Sequence, residues 1–390
     1  MQFDTAACFR YKSHLMKPIK YIAYFDTHDS AIKRNYVASA SNKLEYIAKA
    51  IASNGRDVEI VSVSEVVEDK FALYKGERKP IAMGVALKLP FSWGGNSSVL
   101  RRLKIFWHLL YLFLYLVFRT TKGEPVIVYH SLGYFDIIRW ARKIRGFRLI
   151  LEVEEIYSDV SKMSPYWRNL EFRMFGAADS FILSTELLNE RINPSNKPAV
   201  VIYGTYQVEP VIADKFDDGL IHVVYAGTFD HNKGGAQNAI AAVPFLPANY
   251  HMHICGFGTE EDTKMVETLI REASAASKAK VTYDGMKKGR EFVEFLQRCH
   301  IGLSTQSPGD AYNDTSFPSK VLTYMANGLS VVSIRIPVLE ASGLDGMISF
   351  YEQPDGRKIA KALSEAELCD NRSSVSALDR DFRAKINAVL

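Results

Sequence analysis

Three short stretches carry residue types suited to holding a phosphorylated ligand. Ala226-Gly227-Thr228-Phe229-Asp230-His231-Asn232-Lys233-Gly234-Gly235 lies between a strand candidate and a helix candidate. Its glycines let the backbone approach an anion, the helix start offers free N–H groups, and Lys233 adds a point charge. Gly256-Phe257-Gly258 repeats the device after the next strand candidate, although a lone G-x-G is weak by itself. Phe317-Pro318-Ser319-Lys320 opens a further helix, with Pro in the first turn, Ser near the cap and a cation beside them. Such a set suits a diphosphate, and would stabilise one as a leaving group whose charge grows. Taken singly, the first loop is equally a plain Gly-rich turn, and Lys320 by itself reads as a solvent-exposed helix lysine.

The elements that must position these residues alternate regularly. Tyr21–Phe25 and Val58–Val63 read as strands around a helical stretch, Ser39–Ser53. In that stretch Leu44, Ile47, Ala48 and Ile51 fall at i, i+3, i+4 and i+7, and Asn54-Gly55 ends it. Strand, helix, strand in that order predicts a parallel sheet. Val126–Tyr129, Leu149–Val153 and Ser180–Ser184 continue the alternation. A second start at Ile221–Ala226 leads through the helix Ala236–Val243, the strand His251–Cys255, the helix Glu260–Ala276 and the strand Lys280–Tyr283. Glu291–Cys299, Ile301–Ser304, Ser319–Ala326 and Ser330–Ile334 complete the second half, and polar, turn-rich Thr205–Gly219 bridges the two. The expected fold is α/β, two Rossmann-like parallel-sheet domains over residues 1–207 and 208–371, with a terminal helix over 372–390 joining the first. Ligands of open α/β sheets sit outside the carboxyl ends of the strands, so the site is expected in a cleft between the halves.

Composition narrows the class. The 390 residues are 47% hydrophobic and 24% charged, as in ordinary folded domains. Forty-eight Lys and Arg against 44 Asp and Glu leave a net charge of +4, which gives no bulk argument for nucleic acid. Cys8, Cys255, Cys299 and Cys369 are far apart with no C-x-x-C pair, which points to a reducing compartment. Residues 1–20 show no apolar signal-peptide core, and a cytoplasmic location is expected. No His, Cys or carboxylate set has clear metal-ligand spacing, so no metal is expected. Asp379-Arg380-Asp381 reads as the solvated face of the terminal helix, and the G-x-S-x-G elbow is absent.

One stretch stands apart. Ile105–Phe118 holds fourteen residues with His108 as its one polar member, too short for a span of about twenty. Arg101, Arg102, Lys104, Arg119 and Lys122 flank it, with no acid from Val99 to Gly123. Residues 137–151 add Arg139, Arg142, Lys143, Arg145 and Arg148. Two readings stand side by side: a buried helix with solvated ends, or a face formed by 99–122 and 137–151 that docks on anionic lipid.

The order of the second-half pieces resembles a known family. Tyr225-Ala226-Gly227, Lys233-Gly234, Cys255-Gly256-Phe257-Gly258, Tyr283-Asp284-Gly285 and the run from Phe317 to Val332 are similar to the donor half of GT-B glycosyltransferases. The nearest group is the large retaining family 4, in its capsule and exopolysaccharide branches. The resemblance covers most of residues 220–335, and more loosely Lys17–Ser64 and Val126–Tyr206. It implies transfer of a sugar from a nucleoside-diphosphate sugar, UDP favoured, to a glycan or lipid-linked acceptor, with no cofactor required. By resemblance Gly227, Thr228 and Lys233 bind the diphosphate, Gly256 and Gly258 shape the nucleotide pocket, and Gly285-Met286 meets the base. Ser319 and Lys320 match a second phosphate position, and His130 of Val128-Tyr129-His130-Ser131 matches a histidine at the transferred sugar. Glu154 and Glu155 end the next strand, Glu155 as a catalytic candidate and Glu154 on the acceptor side.

The departures are specific. Two glutamates typical of that family read here as Thr315 and Thr323, with Asn313 and Asp314 as candidate replacements. The arginine usual after the strand-end glycine is Thr228. In place of a first-half glycine loop stands Asp29-Ser30-Ala31-Ile32-Lys33-Arg34-Asn35, which offers Arg34 and Asn35 for phosphate or acceptor work. Two other readings stay open on the same fold: a non-catalytic partner subunit of a glycosyltransferase, and a nucleotide-sugar epimerase.

Overall fold

The computed structural model describes residues 17–27, 30–95, 97–230, 234–306 and 315–390. They divide into two compact units. One takes in the chain up to Ser184, Leu188–Thr205 and the terminal Phe382–Leu390; the other holds Thr185–Leu187 and Tyr206–Asp381.

Unit 1 is built on a sheet of eight strands among the described residues. These are β1 (Ile19–Ala23), β2 (Val58–Ser62), β4 (Glu77–Ala82), β5 (Val85–Leu89), β7 (Pro125–Tyr129), β8 (Arg148–Val153), β9 (Ser180–Leu183) and β10 (Ala199–Val201). Two-residue strands β3 (Leu73–Tyr74) and β6 (Ser92–Trp93) pair antiparallel beside it. The sheet order is β10-β9-β8-β7-β1-β2-β5-β4. β1 and β2 are buried throughout, as strands covered on both faces must be. The Ala38–Ser53 helix packs Leu44, Ile47, Ala48 and Ile51 inward and stops at Asn54, with Gly55 at φ +83°.

The parallel sheets expected from the sequence are present, and β4 adds an antiparallel edge that the alternation did not announce. Its residues, Glu-Arg-Lys-Pro-Ile-Ala, are exposed or half-buried, and Pro80 suits an edge. Such a strand is held by its neighbour β5, so its own sequence carries no hydrophobic pattern.

The Ser98–Arg119 helix buries a single stripe: Lys104, His108, Leu112 and Leu116. Leu112 and Leu116 join the unit core, while Val99, Leu103, Phe106 and Phe118 are exposed. Neither sequence reading of this run is therefore complete: the helix is anchored along one line and apolar toward solvent. Among the described residues no helix is long and apolar enough to cross a membrane.

The basic cluster also needs correction. Lys104 points inward, and its ammonium donates to the carbonyls of Val66 and Gly95 at 2.7 and 3.0 Å. Arg142 is forked onto Asp179, Arg145 donates to the Thr120 carbonyl, and Arg148 to Leu390. These cations satisfy carbonyls or a carboxylate of their own unit. Arg101, Arg102, Arg119, Lys122, Arg139 and Lys143 remain at the surface.

Unit 2 carries β11 (Ile221–Thr228), β12 (Tyr250–Phe257), β13 (Lys280–Gly285), β14 (Ile301–Ser304), β15 (Ser330–Ile334) and β16 (Ile348–Tyr351), ordered β13-β12-β11-β14-β15-β16. Every pair is parallel, and sequence order reverses between β11 and β14. The Glu260–Ala276 helix begins with a reciprocal box: the Thr259 hydroxyl accepts from Asp262 N–H, and Asp262 accepts from Thr259 N–H. The terminal helix, Arg372–Lys385, spans the division of the units at Asp381 and Phe382. Beyond it Arg148 reaches Leu390 and Ser180 donates to the Val389 carbonyl, which fastens the chain end to unit 1.

Gly302 on β14 has no side chain because Tyr324 fills that space; a β-carbon would overlap its ring. Gly302→Ala is expected to destabilise the protein by about 1–3 kcal/mol through overpacking. A urea titration showing a lower midpoint at unchanged slope is the check; an unshifted midpoint would refute this packing account.

Candidate active site

In unit 2 the register aligns three glycines at the carboxyl ends of neighbouring strands. Gly227 of β11 pairs with Gly256 of β12, and Gly285 of β13 pairs with Cys255 one step back. The reversal between β11 and β14 is the place where open α/β sheets take their ligands. Gly256 has φ +153°, and a β-carbon there would strike the Gly227 carbonyl. Gly258 is crowded too, against Phe229 and Asp262. Gly285, with φ +72°, faces open space, and Met286 beside it is exposed.

Lys320 comes to the same point from the Ser319–Ala326 helix. A β-carbon on Gly227 would overlap the Lys320 ammonium and its last methylene, so this lysine lies directly on the backbone at the end of β11. The ammonium also sits 4.2 Å from the centre of the Tyr225 ring, a cation–π contact that fixes it. Tyr324 locks the helix to the strands: its hydroxyl accepts from Ala226 N–H at 2.9 Å. Ser319 is exposed at the first turn, where helix N–H groups have no intrahelical partner. The structure thus brings Gly227, Thr228, Gly256, Ser319 and Lys320 to one end of one sheet.

Thr323 lies one turn into that helix and donates to the Ser319 carbonyl at 3.1 Å, while Thr315 is buried. Lys233, Asn313 and Asp314 fall outside the described residues. Tyr225 and Tyr324 fall in stretches that carry the resemblance, but nothing in the sequence assigns them a role. Their types match ordinary core positions, and only the crowding at Gly227 and Gly302 exposes their role.

In unit 1 the order reverses between β1 and β7, and His130 follows β7 directly. Its ring is 1% exposed, stacks on Tyr157 at 4.3 Å, and has Nε2 3.4 Å from the Glu171 carboxylate. Burial pulls its pKa down to about 3, a backbone hydrogen bond at Glu155 offsetting part of that, so the ring is neutral near neutral pH. Glu171 is buried and accepts from the N–H groups of Tyr157 and Ser158. Nothing in its sequence surroundings distinguishes it from a surface helix glutamate.

Glu154 is paired with Lys43 at 2.8 Å. Burial, then the charge of Glu154, raises the pKa of Glu155. Glu152, fully buried on β8 and hydrogen-bonded by the Tyr21 hydroxyl, is pushed up to about 8, burial being the largest cause and Glu154 the next. Arg34 is buried 3.4 Å from Asp26 and donates to the Ser64 carbonyl at 3.2 Å. Its guanidinium is therefore engaged inside unit 1, while Asn35 is exposed and donates to Glu65.

Comparison with known proteins bears on the second unit's domain and on the fold. Residues 221–366 match the family model described as "Glycosyl transferases group 1". A search of curated proteins returned no match. Among solved structures the chain is similar to one described as "Trehalose-6-phosphate from E. coli bound with UDP-2-fluoro glucose", at 10% identity, covering 96% of each chain, with a TM-score of 0.60. A UDP-forming alpha,alpha-trehalose-phosphate synthase from Burkholderia xenovorans in complex with glucose-6-phosphate matches at 11%, over 96% and 100% of the chains, with 0.61. Sucrose-phosphate synthase from Thermosynechococcus elongatus matches at 13%, over 96% and 95%, with 0.58. At such identities the likeness shows the fold, which is GT-B.

The raised pKa of Glu152 gives a signed pH dependence. The unfolded carboxyl releases its proton near the ordinary 4.5, whereas the folded one keeps it to about 8, so stability falls as pH rises through that window. Glu152→Gln is expected to match the parent at pH 4 and exceed it at pH 8 by at least about 1 kcal/mol. Equal unfolding midpoints at pH 8 would contradict it.

Proposed function

We propose that this chain is a retaining glycosyltransferase of the family 4 kind, moving a sugar from a UDP-sugar to a glycan or lipid-linked acceptor in surface-polysaccharide synthesis. Its glycosyltransferase domain rests on the match over residues 221–366. One observation carries the donor reading: the Lys320 ammonium lies against Gly227 at the end of β11, beside the first turn of a helix. A diphosphate at that point meets a fixed cation and unpaired N–H groups together.

On this reading Gly227, Thr228, Ser319 and Lys320 hold the diphosphate, joined by Lys233. Gly256 and Gly258, packed against Gly227 and Phe229, shape the loop beside the nucleotide, and Gly285 and Met286 meet the base. When the bond between the sugar and the diphosphate breaks, the departing group gains negative charge. Lys320 is already placed by Tyr225, so it needs no reorganisation as that charge appears. Thr315 and Thr323 have no carboxylate to offer the sugar or ribose, which leaves Asn313 and Asp314 for that work.

In unit 1, Glu155 is the group assigned to the acceptor hydroxyl, its raised pKa bringing it closer to the range of a useful base. His130, neutral and buried under Tyr157, acts by hydrogen bonding and position and not by carrying a proton. UDP is favoured because structurally similar proteins are described with UDP-2-fluoro glucose or as UDP-forming. UDP is expected to raise the melting temperature, with GDP, dTDP and CMP inert. Lys320→Ala should fold normally, lose that shift, and lower sugar transfer by about a hundredfold or more, the scale of one transition-state charge contact. Parent-level turnover in that variant would remove Lys320 from the mechanism. Donor conversion without acceptor would instead indicate epimerase chemistry.

The acceptor class is carried by the outer side of the Ser98–Arg119 helix. Leu103, Phe106 and Phe118 are exposed there, and Trp140 and Ile144 are exposed on the Phe135–Arg145 helix. Arg101, Arg102, Arg119, Lys122, Arg139 and Lys143 at the surface of the two helices suit an anionic lipid face. The protein is expected to sediment with anionic vesicles at low salt and to stay free with neutral ones. Phe106→Asp with Trp140→Asp should abolish that binding; sedimentation unchanged by the pair would refute the surface.

A further inference from the structure

Four histidines gather on unit 2 away from the glycine end. His222 is the second residue of β11, His251 and His253 lie two apart on β12, and His300 precedes β14. The register pairs His222 with His251, and one ring nitrogen from each of His222, His251 and His253 lies within 4.8 Å of the other two.

The outward nitrogens are spoken for. His222 Nε2 is 2.9 Å from the Asp218 carboxylate, and His253 Nδ1 is 3.0 Å from Asp284. His251 Nε2 is 3.1 Å from the Thr282 hydroxyl, which donates to Asp284 at 2.8 Å. A carboxylate only accepts, so each of those two contacts requires the proton on the outward nitrogen. The inner nitrogens, His222 Nδ1 and His253 Nε2, then face each other as lone pairs at 2.8 Å. Two lone pairs at that distance repel unless a cation lies between them. A proton placed there serves two nitrogens, while the geometry converges three.

We propose that His222, His251 and His253 bind one divalent transition cation of the zinc class, with Asp218 and Asp284 as the outer carboxylates that set the ring tautomers. Imidazole nitrogens at about 2.0–2.1 Å from tetrahedral zinc stand roughly 3.3 Å apart, so the His222–His253 pair needs to open by about half an ångström. Histidine ligands backed by carboxylates are the usual outer arrangement of such sites. Phe216 covers the cluster by stacking on His222 at 4.1 Å, and Phe295 meets His253 edge-on at 5.2 Å. His251 is only half-buried, which leaves an entry path and a fourth position for solvent. His222 precedes Gly227 by five residues, or about 16 Å of strand, so this cation does not reach the diphosphate. It ties Asp218 of the segment before β11 to the sheet, which makes it a stabilising site of the donor unit.

Tag-free full-length protein, stripped with chelator and dialysed against zinc, should hold one equivalent per chain and melt at a higher temperature than the stripped form. Cobalt(II) should give the visible absorption of a tetrahedral nitrogen-ligated ion. His251→Gln and His253→Gln should each lose the metal while keeping the melting shift with UDP. Should buried His253→Gln fail to fold, half-exposed His251→Gln carries the test. Less than half an equivalent in the parent, or a full equivalent retained by His251→Gln, overturns the proposal. Metal content is independent of sugar transfer, so failure here leaves the glycosyltransferase reading untouched.

Discussion

In unit 2 much depends on two β-carbons that are absent at the ends of adjacent strands. Gly227 and Gly256 are register partners, and neither position has room for a methyl group. The first is filled by the Lys320 ammonium, the second by the Gly227 carbonyl itself. The strand ends are thereby drawn together, and a charged group 93 residues later in the chain is laid on bare backbone. Tyr225 and Tyr324 complete the arrangement from below, one under the ammonium and one bonded to Ala226. A lysine held this way has already lost the rotamer freedom that an exposed lysine would give up on meeting a phosphate.

Unit 1 uses burial to opposite effect. Glu152, Glu154, Glu155 and, from a helix, Glu171 gather around Tyr157, which stacks on the neutral His130, with Lys43 paired to Glu154. Charges kept from water are costly, and the molecule answers by pairing Glu154, by giving Glu171 two backbone donors, and by keeping Glu152 protonated. The carboxylates therefore differ in state although they share a neighbourhood. That leaves Glu155, half-buried and with its pKa raised, as the group of the set with both access and a shifted proton affinity.

Much of this frame was legible beforehand because periodicity depends on burial alone. Glu260–Ala276, Ile301–Ser304, Ser319–Ala326 and Ser330–Ile334 have the bounds read from the sequence. The edge strand β4 was not legible, since its residues are exposed or half-buried and it gains its structure from β5. Lys104 misled for a related reason. A lysine next to an apolar run reads as a solvated flank, yet the helix phase turns it inward, where two carbonyls accept its protons. Composition reports charge, and only phase reports direction.

The histidine cluster shows the same limit at longer range. His222 lies 29 residues before His251 in the chain, a spacing that matches no familiar ligand pattern. Parallel pairing makes them neighbours, and the two-residue repeat of β12 adds His253 on the same face. Spacing rules for metal ligands describe sites built within one loop or helix. A site built across a parallel sheet is written in the register, and register is fixed where strands are buried, as β11 is from His222 to Ala226. The tautomer conflict between His222 and His253 is likewise invisible until Asp218 and Asp284 are seen to claim the outer nitrogens. On the two proposals above, the same sheet serves anion binding where its strands end and cation binding where they begin, because the former needs bare backbone and helix N–H groups while the latter needs side chains gathered on one face.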